Sequence, residues 1–416
     1  MTRLRLHGVI AAVLAAALLA VLAGGCSRPA DLLPVPDGPP AHPRCGTAPV
    51  LALGATQLQR AYGVPAMLTA GISGAGTTIA DIVPYLNPWV AHDLAVYSRR
   101  YGLPPARLQI VNYDRAPVAA PYGLAAQWAR EGTGDLEMMH ALAPDATLIY
   151  VAVPAASTGP GPLYTQALSW VATHLRPDVV SYSSGTPEFT GIGQYRSGLR
   201  AAARSGVTVL AATGDTGATE PAGPTLWPVP VALWPASDPL VTAVGGTWLH
   251  VDRAGNRVSP DTAFSDVGGS WAGGAGLSAV FSRPAWQDSV RGIVGDHRGI
   301  ADVSMDGSNC SPVAVYQQAT APGGWGQSQG TSMSTALFAG ITADAAQAAG
   351  HRLGLLGPAL YSLHGTADGL LDVTRGGDSI PGMPGWQARP GYDLPTGIGT
   401  VGAALPFVTA LARAAS

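Results

Sequence analysis

The chain has 416 residues, of which 47% are hydrophobic and 12% are charged, and its formal net charge is -3. A chain of this length and apolar content can bury a large core, either in one large domain or in two smaller ones. It contains no lysine and no run of basic residues, so it lacks the electrostatic footprint of a nucleic-acid-binding protein.

The N-terminus has the pattern of an export signal. Arg3 and Arg5 precede an unbroken apolar run over residues 9–22, which is too short to span a membrane. We therefore predict a signal peptide over residues 1–25 and an exported protein. The next segment, residues 26–52, is rich in proline and polar residues as far as Cys45, and we predict that it is a tether.

The three cysteines point to two covalent features. Cys26 follows the run Leu-Ala-Gly-Gly at 22–25, which resembles the lipobox of bacterial lipoproteins, with the leucine one place further from the cysteine than usual. We predict a lipid anchor at Cys26; the alternative is ordinary cleavage near Gly25 and secretion. Cys45 and Cys310 are an even pair in an exported chain, which favours one disulfide over the alternative of two free buried thiols.

Beyond the tether, short apolar strands alternate with helical stretches. The predicted strands are residues 78–83, 108–111, 147–153, 179–183, 207–212 and 240–244. The predicted helices are residues 89–101, 135–142, 164–175 and 194–205. This alternation predicts an α/β fold, with a doubly wound, mostly parallel sheet flanked by helices, in one domain over residues 53–416.

The segment 330–340 is a turn of small residues that runs straight into an apolar helix. Gly330 allows a tight turn, and Ser332 would lie at a helix N-terminus, where free backbone N–H groups stabilise a developing oxyanion. The arrangement predicts a nucleophile, although an N-cap serine on a core helix has the same pattern. A serine hydroxyl also needs a base to take its proton.

Residues 131–135, with the sequence Glu-Gly-Thr-Gly-Asp, offer such a base. If the segment is helical from Glu131, the carboxylates of Glu131 and Asp135 lie at i and i+4 and share one face. The alternative is a pair of acidic residues that favour a helix N-terminus through its dipole. The two intervening glycines weaken helix formation at Glu131.

Two other acidic sites lie in loops rich in glycine. Asp215 directly follows a predicted strand, and on its own it is typical of a turn aspartate. Asp372 and Asp393 lie in the segments 372–374 and 389–393, which contain no His or Cys. An oxygen-only ligand set suits calcium rather than zinc, whereas solvated loop aspartates are the alternative.

In this order the motifs resemble the sedolisin family of serine-carboxyl peptidases, which has the subtilisin fold. The resemblance spans most of the domain, and the nucleophile motif of that family, Gly-Thr-Ser before a helix of small residues, is met at Ser332. The other matching segments are 56–65, 78–105, 180–185, 234–247 and 276–284.

The resemblance implies an active site of four residues. It makes Ser332 the nucleophile, Glu131 its base, Asp135 the partner of that base and Asp215 the oxyanion-hole residue. The implied activity is hydrolysis of peptide bonds in polypeptides at acidic pH, where a glutamate can still accept a proton and an imidazole is mostly protonated. We expect a monomer without a nucleic-acid partner.

The resemblance also implies one structural calcium ion. Its ligands would be the carboxylates of Asp372 and Asp393 and the backbone carbonyls of Val373, Arg389 and Gly391. A glycine is usual in the family at the position of Arg389, so this ligand departs from the family pattern.

Two further features depart from the family. Ala336 replaces the proline that usually follows the nucleophile motif, which is a mild change because proline is only tolerated early in a helix. Family members are also made with a large N-terminal propeptide, and the segment between Cys26 and Thr56 is too short for one. This departure bears on folding and inhibition, and it leaves the four predicted catalytic positions unchanged.

Two other functions remain as alternatives. A Ser-His-Asp protease of the subtilisin type needs a histidine base, for which His140 is the only nearby candidate, and we expect His140 to be a helix-surface residue. The second alternative is a non-catalytic lipoprotein of the cell envelope that keeps the fold as a binding module. Mutation of Ser332 with an assay of proteolysis separates these functions.

Overall fold

The computed structural model describes residue 45 and residues 52–155, 162–222, 225–265, 271–319 and 323–415. The predicted signal peptide and the predicted anchor at Cys26 lie outside the described residues, as does almost all of the predicted tether. Cys45 and Cys310 are described, and their Cα atoms lie 5.3 Å apart, a separation that a disulfide can bridge.

Ten α-helices lie in the described part of the chain, and none of the helices there is long and apolar enough to cross a membrane. They are α1 (Ala55–Ala61), α2 (Val64–Thr69), α3 (Val90–Tyr101), α4 (Gly123–Leu142), α5 (Pro162–Trp170), α6 (Ser197–Arg204), α7 (Arg291–Val294), α8 (Thr331–Ala349), α9 (Gly357–Ser362) and α10 (Ala404–Ala414).

The strands alternate with these helices. They are β1 (Thr78–Pro84), β2 (Arg107–Asn112), β3 (Thr147–Val153), β4 (Val179–Tyr182), β5 (Thr186–Pro187), β6 (Thr208–Ala212), β7 (Pro221–Ala222), β8 (Thr225–Leu226), β9 (Leu233–Trp234), β10 (Thr242–Trp248), β11 (Thr262–Ala263), β12 (Gly276–Ser282), β13 (His297–Ile300), β14 (Val303–Asp306), β15 (Val313–Gln317), β16 (Gly324–Ser328), β17 (Leu370–Leu371) and β18 (Thr400–Val401).

The main sheet contains eight parallel strands in the order β2, β3, β1, β4, β6, β10, β14 and β18. Strands β17 and β11 add antiparallel pairs to β18 and β10. Strands β3 and β2 lie on one side of β1, and β4, β6, β10 and β14 follow on the other, which is the doubly wound arrangement that the alternation of strands and helices predicts.

The sheet separates two apolar cores. One core contains residues of α1, α3, α4, α8 and α10, and the other contains residues of α5 and α6. Because both faces are covered, the central strands are continuous apolar runs without a polar side; in β3 every residue after Thr147 is buried. This continuity is why the strands could be located closely from the sequence.

The largest departure from prediction is in α4. The sequence predicts a helix over residues 135–142, but α4 begins at Gly123. A Cβ added at Gly132 would lie 2.7 Å from the ring of Tyr150, and one added at Gly134 would lie 3.2 Å from Met333. Glycine therefore lets α4 approach the sheet and α8 closely, and this packing outweighs the weak helix propensity of glycine.

Candidate active site

The four residues that the sequence predicts for catalysis meet around the start of α8. Ser332 is the second residue of α8, Glu131 and Asp135 lie in α4, and Asp215 follows β6. The Ser332 hydroxyl lies near enough to the Glu131 carboxyl to lower the pKa of that carboxyl. Asp215 is hydrogen-bonded to Thr331, the residue before Ser332.

The backbone around Ser332 is held on both sides. Gly330 has a φ of 111°, a conformation that favours glycine. Ser334, which is fully buried, accepts a hydrogen bond from the Met305 N–H at 2.8 Å and donates one to the carbonyl of Gly245. These bonds fix the first turn of α8 against β14 and β10, and they leave the half-buried Ser332 side chain to face Glu131.

Glu131 has the environment of a tuned base. Burial, together with the charge of Asp215, raises the pKa of Glu131 to about 7, and the nearby Ser332 hydroxyl acts in the opposite direction. Its Oε1 atom is buried and has no hydrogen-bond partner among the described residues. A carboxylate with a raised pKa in contact with a serine hydroxyl is chemically suited to accept the proton of that hydroxyl.

Asp135 lies one helical turn after Glu131 on the same face, as the i, i+4 spacing predicts. Burial raises the pKa of Asp135 well above its usual range, and the charges of Asp81 and Glu131 raise it further, whereas Ser183 lowers it. Asp81, in β1, is equally buried, and burial and then the charge of Glu131 raise its pKa. Three carboxyl groups in one dry site cannot all ionise, so Asp81 and Asp135 keep their protons when Glu131 loses its own.

Asp215 caps the backbone that leads to the nucleophile. Its Oδ1 atom accepts hydrogen bonds from the Thr331 N–H at 2.7 Å and from the Thr331 hydroxyl at 3.1 Å. A Cβ at Gly330 would lie 2.8 Å from Oδ2, so only glycine leaves room for this carboxyl. Burial raises the pKa of Asp215. A protonated carboxyl here has a hydrogen to donate to an oxyanion.

Two acidic residues of this region were missed in the sequence. Asp81 stands inside an apolar strand, and a charged residue at a predicted buried position is a signal that could have found it. Glu220 is 4% exposed, and its carboxyl packs against the α-carbon of Gly214. Burial and the charge of Asp215 raise the pKa of Glu220 well above its usual range. Glu220 lies in a loop whose sequence carries no comparable signal.

His140 does not belong to this site, and the expectation that it lies on the helix surface is wrong. It is fully buried, because the last turns of α4 are enclosed on all sides. It lies nine residues after Glu131, or about 13 Å along the helix axis. Its Nε2 atom is 2.9 Å from the carbonyl oxygen of Pro104, and burial lowers its pKa.

The carboxylates of the predicted calcium loop converge on one short segment. Asp372 accepts a hydrogen bond from the N–H of Gly391, and Asp393 accepts one from the N–H of Arg389, both at 2.9 Å. Asp393 is buried, and burial, with a further contribution from the charge of Asp372, raises its pKa to about 7. A buried carboxylate beside a second carboxylate fits a divalent cation with oxygen ligands.

No group of three or more His, Cys, Asp or Glu residues in the described ranges is arranged to hold a metal ion. A calcium ion bound by Asp372 and Asp393 would therefore need backbone carbonyls as further ligands. The residues present fit that requirement, since Val373, Arg389 and Gly391 lie in the same two segments.

The chain matches the model of the subtilase family over residues 123–359. It is 32% identical over 352 residues to kumamolisin of Bacillus sp. (strain MN-32), an alignment that covers 79% of this chain and 59% of that protein. It is 31% identical over 271 residues to sedolisin of Pseudomonas sp. (strain 101), covering 61% of this chain and 44% of that protein.

A solved structure supports the same fold. Pseudomonas sedolisin, described as a serine-carboxyl proteinase complexed with two molecules of pseudo-iodotyrostatin, superimposes with a TM-score of 0.72 at 24% identity. The superposition covers 88% of this chain and 99% of that chain.

A parallel sheet, a central helix with a serine in its first turn, and a carboxyl pair beside that serine define an α/β protein with a subtilisin-like fold. The chain belongs to the subtilase family, and within that fold its relatives are the sedolisins. The sequence motifs had implied this relationship.

Proposed function

We propose that this protein is a serine-carboxyl peptidase, in which Ser332 attacks the peptide carbonyl and Glu131 serves as the base. The observation that carries the proposal is the position of the Ser332 hydroxyl, in the first turn of α8, beside the buried carboxyl of Glu131 in α4. The names of the relatives kumamolisin and sedolisin agree with it.

The reaction would proceed in two halves. The Ser332 Oγ atom forms a bond to the carbonyl carbon while its proton passes to Glu131, and the tetrahedral intermediate then expels the amine, which takes that proton. Water repeats the sequence on the acyl-enzyme and releases the second product. Asp135 holds its proton towards Glu131, and Asp215 donates a hydrogen bond to the oxyanion.

We also propose that the peptidase works on the acidic side of neutrality. The oxyanion role requires Asp215 to be protonated, and the base role requires Glu131 to be ionised. Both conditions are met together most often at a pH between the two pKa values, of which the pKa of Asp215 is raised from its usual range and that of Glu131 is about 7.

Three proposals concern the rest of the chain. Calcium, bound by Asp372, Asp393 and the carbonyls of the loop, would tie two separated segments together. The chain would be exported and anchored by lipid at Cys26, which comparison of membrane and soluble fractions for wild type and Cys26→Ser would test. The substrates would be polypeptides.

The direct test of the activity is Ser332→Ala. We expect hydrolysis of an unfolded protein substrate at pH 4 to 6 to fall by at least about 10³-fold, because the covalent step is lost. Ser362→Ala, at the exposed end of α9, is the matched control and should keep full activity. A wild-type protein without hydrolytic activity over the whole pH range would favour the binding-module alternative.

A further inference from the structure

The first two turns of α4 project apolar side chains beyond the catalytic pair. Leu124 is 44% exposed, and Tyr122, immediately before the helix, is 75% exposed. Trp128 is half-buried and packs against the apolar core. The catalytic roles of Glu131 and Asp135 do not explain why these residues are apolar.

The helical register places Leu124 and Trp128 on the catalytic face. With 3.6 residues per turn, Leu124 is offset from Glu131 by about 20° and Trp128 by about 60° around the helix axis. Both offsets are close to that of Asp135, which is about 40°. The four side chains therefore form one stripe along α4.

The packing of α4 shows which way this stripe faces. A Cβ added at Gly132 would point towards Tyr150 and Val83 on the sheet. One added at Gly134 would point towards Met333 on α8. The stripe lies between these two directions, where Glu131 meets Ser332. Leu124 lies two turns further out, at about 10 Å along the axis, so it lies at the exposed end of the stripe that carries Glu131.

The chemistry of the base indicates which part of a substrate would lie beside this stripe of side chains. Glu131 must return its proton to the departing amine, so that nitrogen lies next to the Glu131 carboxyl. An extended chain advances about 3.3 to 3.6 Å per residue. The first two residues after the cleaved bond therefore have the reach to bring a side chain against Leu124 and Trp128.

We propose that Leu124 and Trp128 form a subsite for an apolar side chain in the first two residues on the leaving-group side of the cleaved bond. This inference rests on the proposed peptidase function and deepens it. The packing of Trp128 against the core holds one wall of the subsite in place, and Leu124 supplies exposed apolar surface that a substrate would cover.

The test compares three substrates that have the same residues before the cleaved bond. The first is a quenched fluorescent peptide with leucine at both positions after the cleaved bond, the second has serine at both, and the third is the corresponding methyl ester. Leu124→Asn and Trp128→Ala should each lower kcat/KM for the leucine peptide by about 10-fold or more, in line with the loss of an apolar contact. The serine peptide and the ester should change by less than twofold.

Ile293→Asn is the matched control, because Ile293 is 50% exposed on α7, and it should leave all three substrates unchanged. Equal losses on the ester and the leucine peptide would overturn the inference, since the two side chains would then act on the acyl side or through Glu131. Unchanged kinetics of Leu124→Asn, the variant at an exposed position, would also overturn it. A wild-type protein that cleaves none of the substrates would overturn the peptidase function itself.

Discussion

Asp215 and Glu131 need opposite protonation states at the moment of attack, and their environments make this possible only in part of the pH range. Burial and then the charge of Asp215 raise the pKa of Glu131, and burial raises the pKa of Asp215. The reactive form, with Asp215 protonated and Glu131 ionised, is most abundant between the two pKa values.

Asp215→Asn tests this account of the two groups. An amide donates a hydrogen bond at every pH, and its neutrality removes the charge that raises the pKa of Glu131. We expect the variant to keep measurable activity and to hold it to higher pH than wild type, as measured by kcat/KM from pH 3 to 8. Loss of activity on the alkaline side at the same pH as wild type would show that Asp215 does not titrate in the reaction.

The four residues predicted for catalysis were identifiable from the sequence because each stands in a short motif that resembles the sedolisins. The other two acidic residues, Asp81 and Glu220, could not be identified in this way. The proximity of Asp81 to Glu131 arises from the packing of α4 on β1, and that of Glu220 to Asp215 from the folding of a loop. No local spacing encodes either contact.

At the scale of single elements, α4 depends on Gly132 for its close approach to the sheet. A Cβ at this position would lie 2.7 Å from the Tyr150 ring and 3.1 Å from Val83. Tyr150 cannot easily move, because its hydroxyl donates a hydrogen bond to the Tyr85 carbonyl at 2.8 Å. We expect Gly132→Ala to lower the free energy of unfolding by about 1 to 3 kcal/mol, as measured by urea denaturation, although alanine is the better helix former.

Gly292→Ala in α7 is the control for helix propensity, because nothing lies within 4 Å of an added Cβ there. It should be neutral or should stabilise the protein by up to about 1 kcal/mol. Equal effects of the two substitutions would mean that α4 does not rely on the close contact at Gly132.

The predicted disulfide would join the segment before α1 to the loop between β14 and β15. In the chain-entropy model, a bond between Cys45 and Cys310 that closes such a long loop contributes about 4 to 5 kcal/mol. Mass spectrometry of a non-reduced digest of the exported protein should find the two cysteines in one linked peptide pair. Detection of both as free thiols would rule out the bond.

At the scale of the whole molecule, the proposed calcium ion would hold the C-terminal loops together. We expect chelation of calcium to lower the melting temperature and re-addition to restore it, because a ligand that binds only the folded state stabilises that state. The Asp393→Ala variant should melt, without any chelator, at the lower temperature expected of the chelated wild type. Its melting temperature should not change when calcium is added. An unchanged melting temperature after thorough chelation would contradict the proposal.

The parallel sheet could be predicted because both of its faces are covered, so its central strands stand out as short apolar runs. The continuation of α4 across Gly132 and Gly134 could not be predicted, since two glycines disfavour a helix there and close tertiary packing offsets that cost. The burial of the C-terminal turns of α4 explains why the predicted surface position of His140 was wrong. In a helix with apolar neighbours on every side, the position of a single histidine in the sequence does not distinguish surface from core.

The pH dependence of kcat/KM for wild type, Glu131→Ala and His140→Gln on one peptide substrate distinguishes a glutamate base from a histidine base. We predict a wild-type maximum on the acidic side of neutrality, a loss of about 10²-fold or more in Glu131→Ala, and a normal profile in His140→Gln, whose amide can still donate to the Pro104 carbonyl. An optimum near pH 8 that is lost in His140→Gln and kept in Glu131→Ala would contradict the account and establish a histidine-based protease.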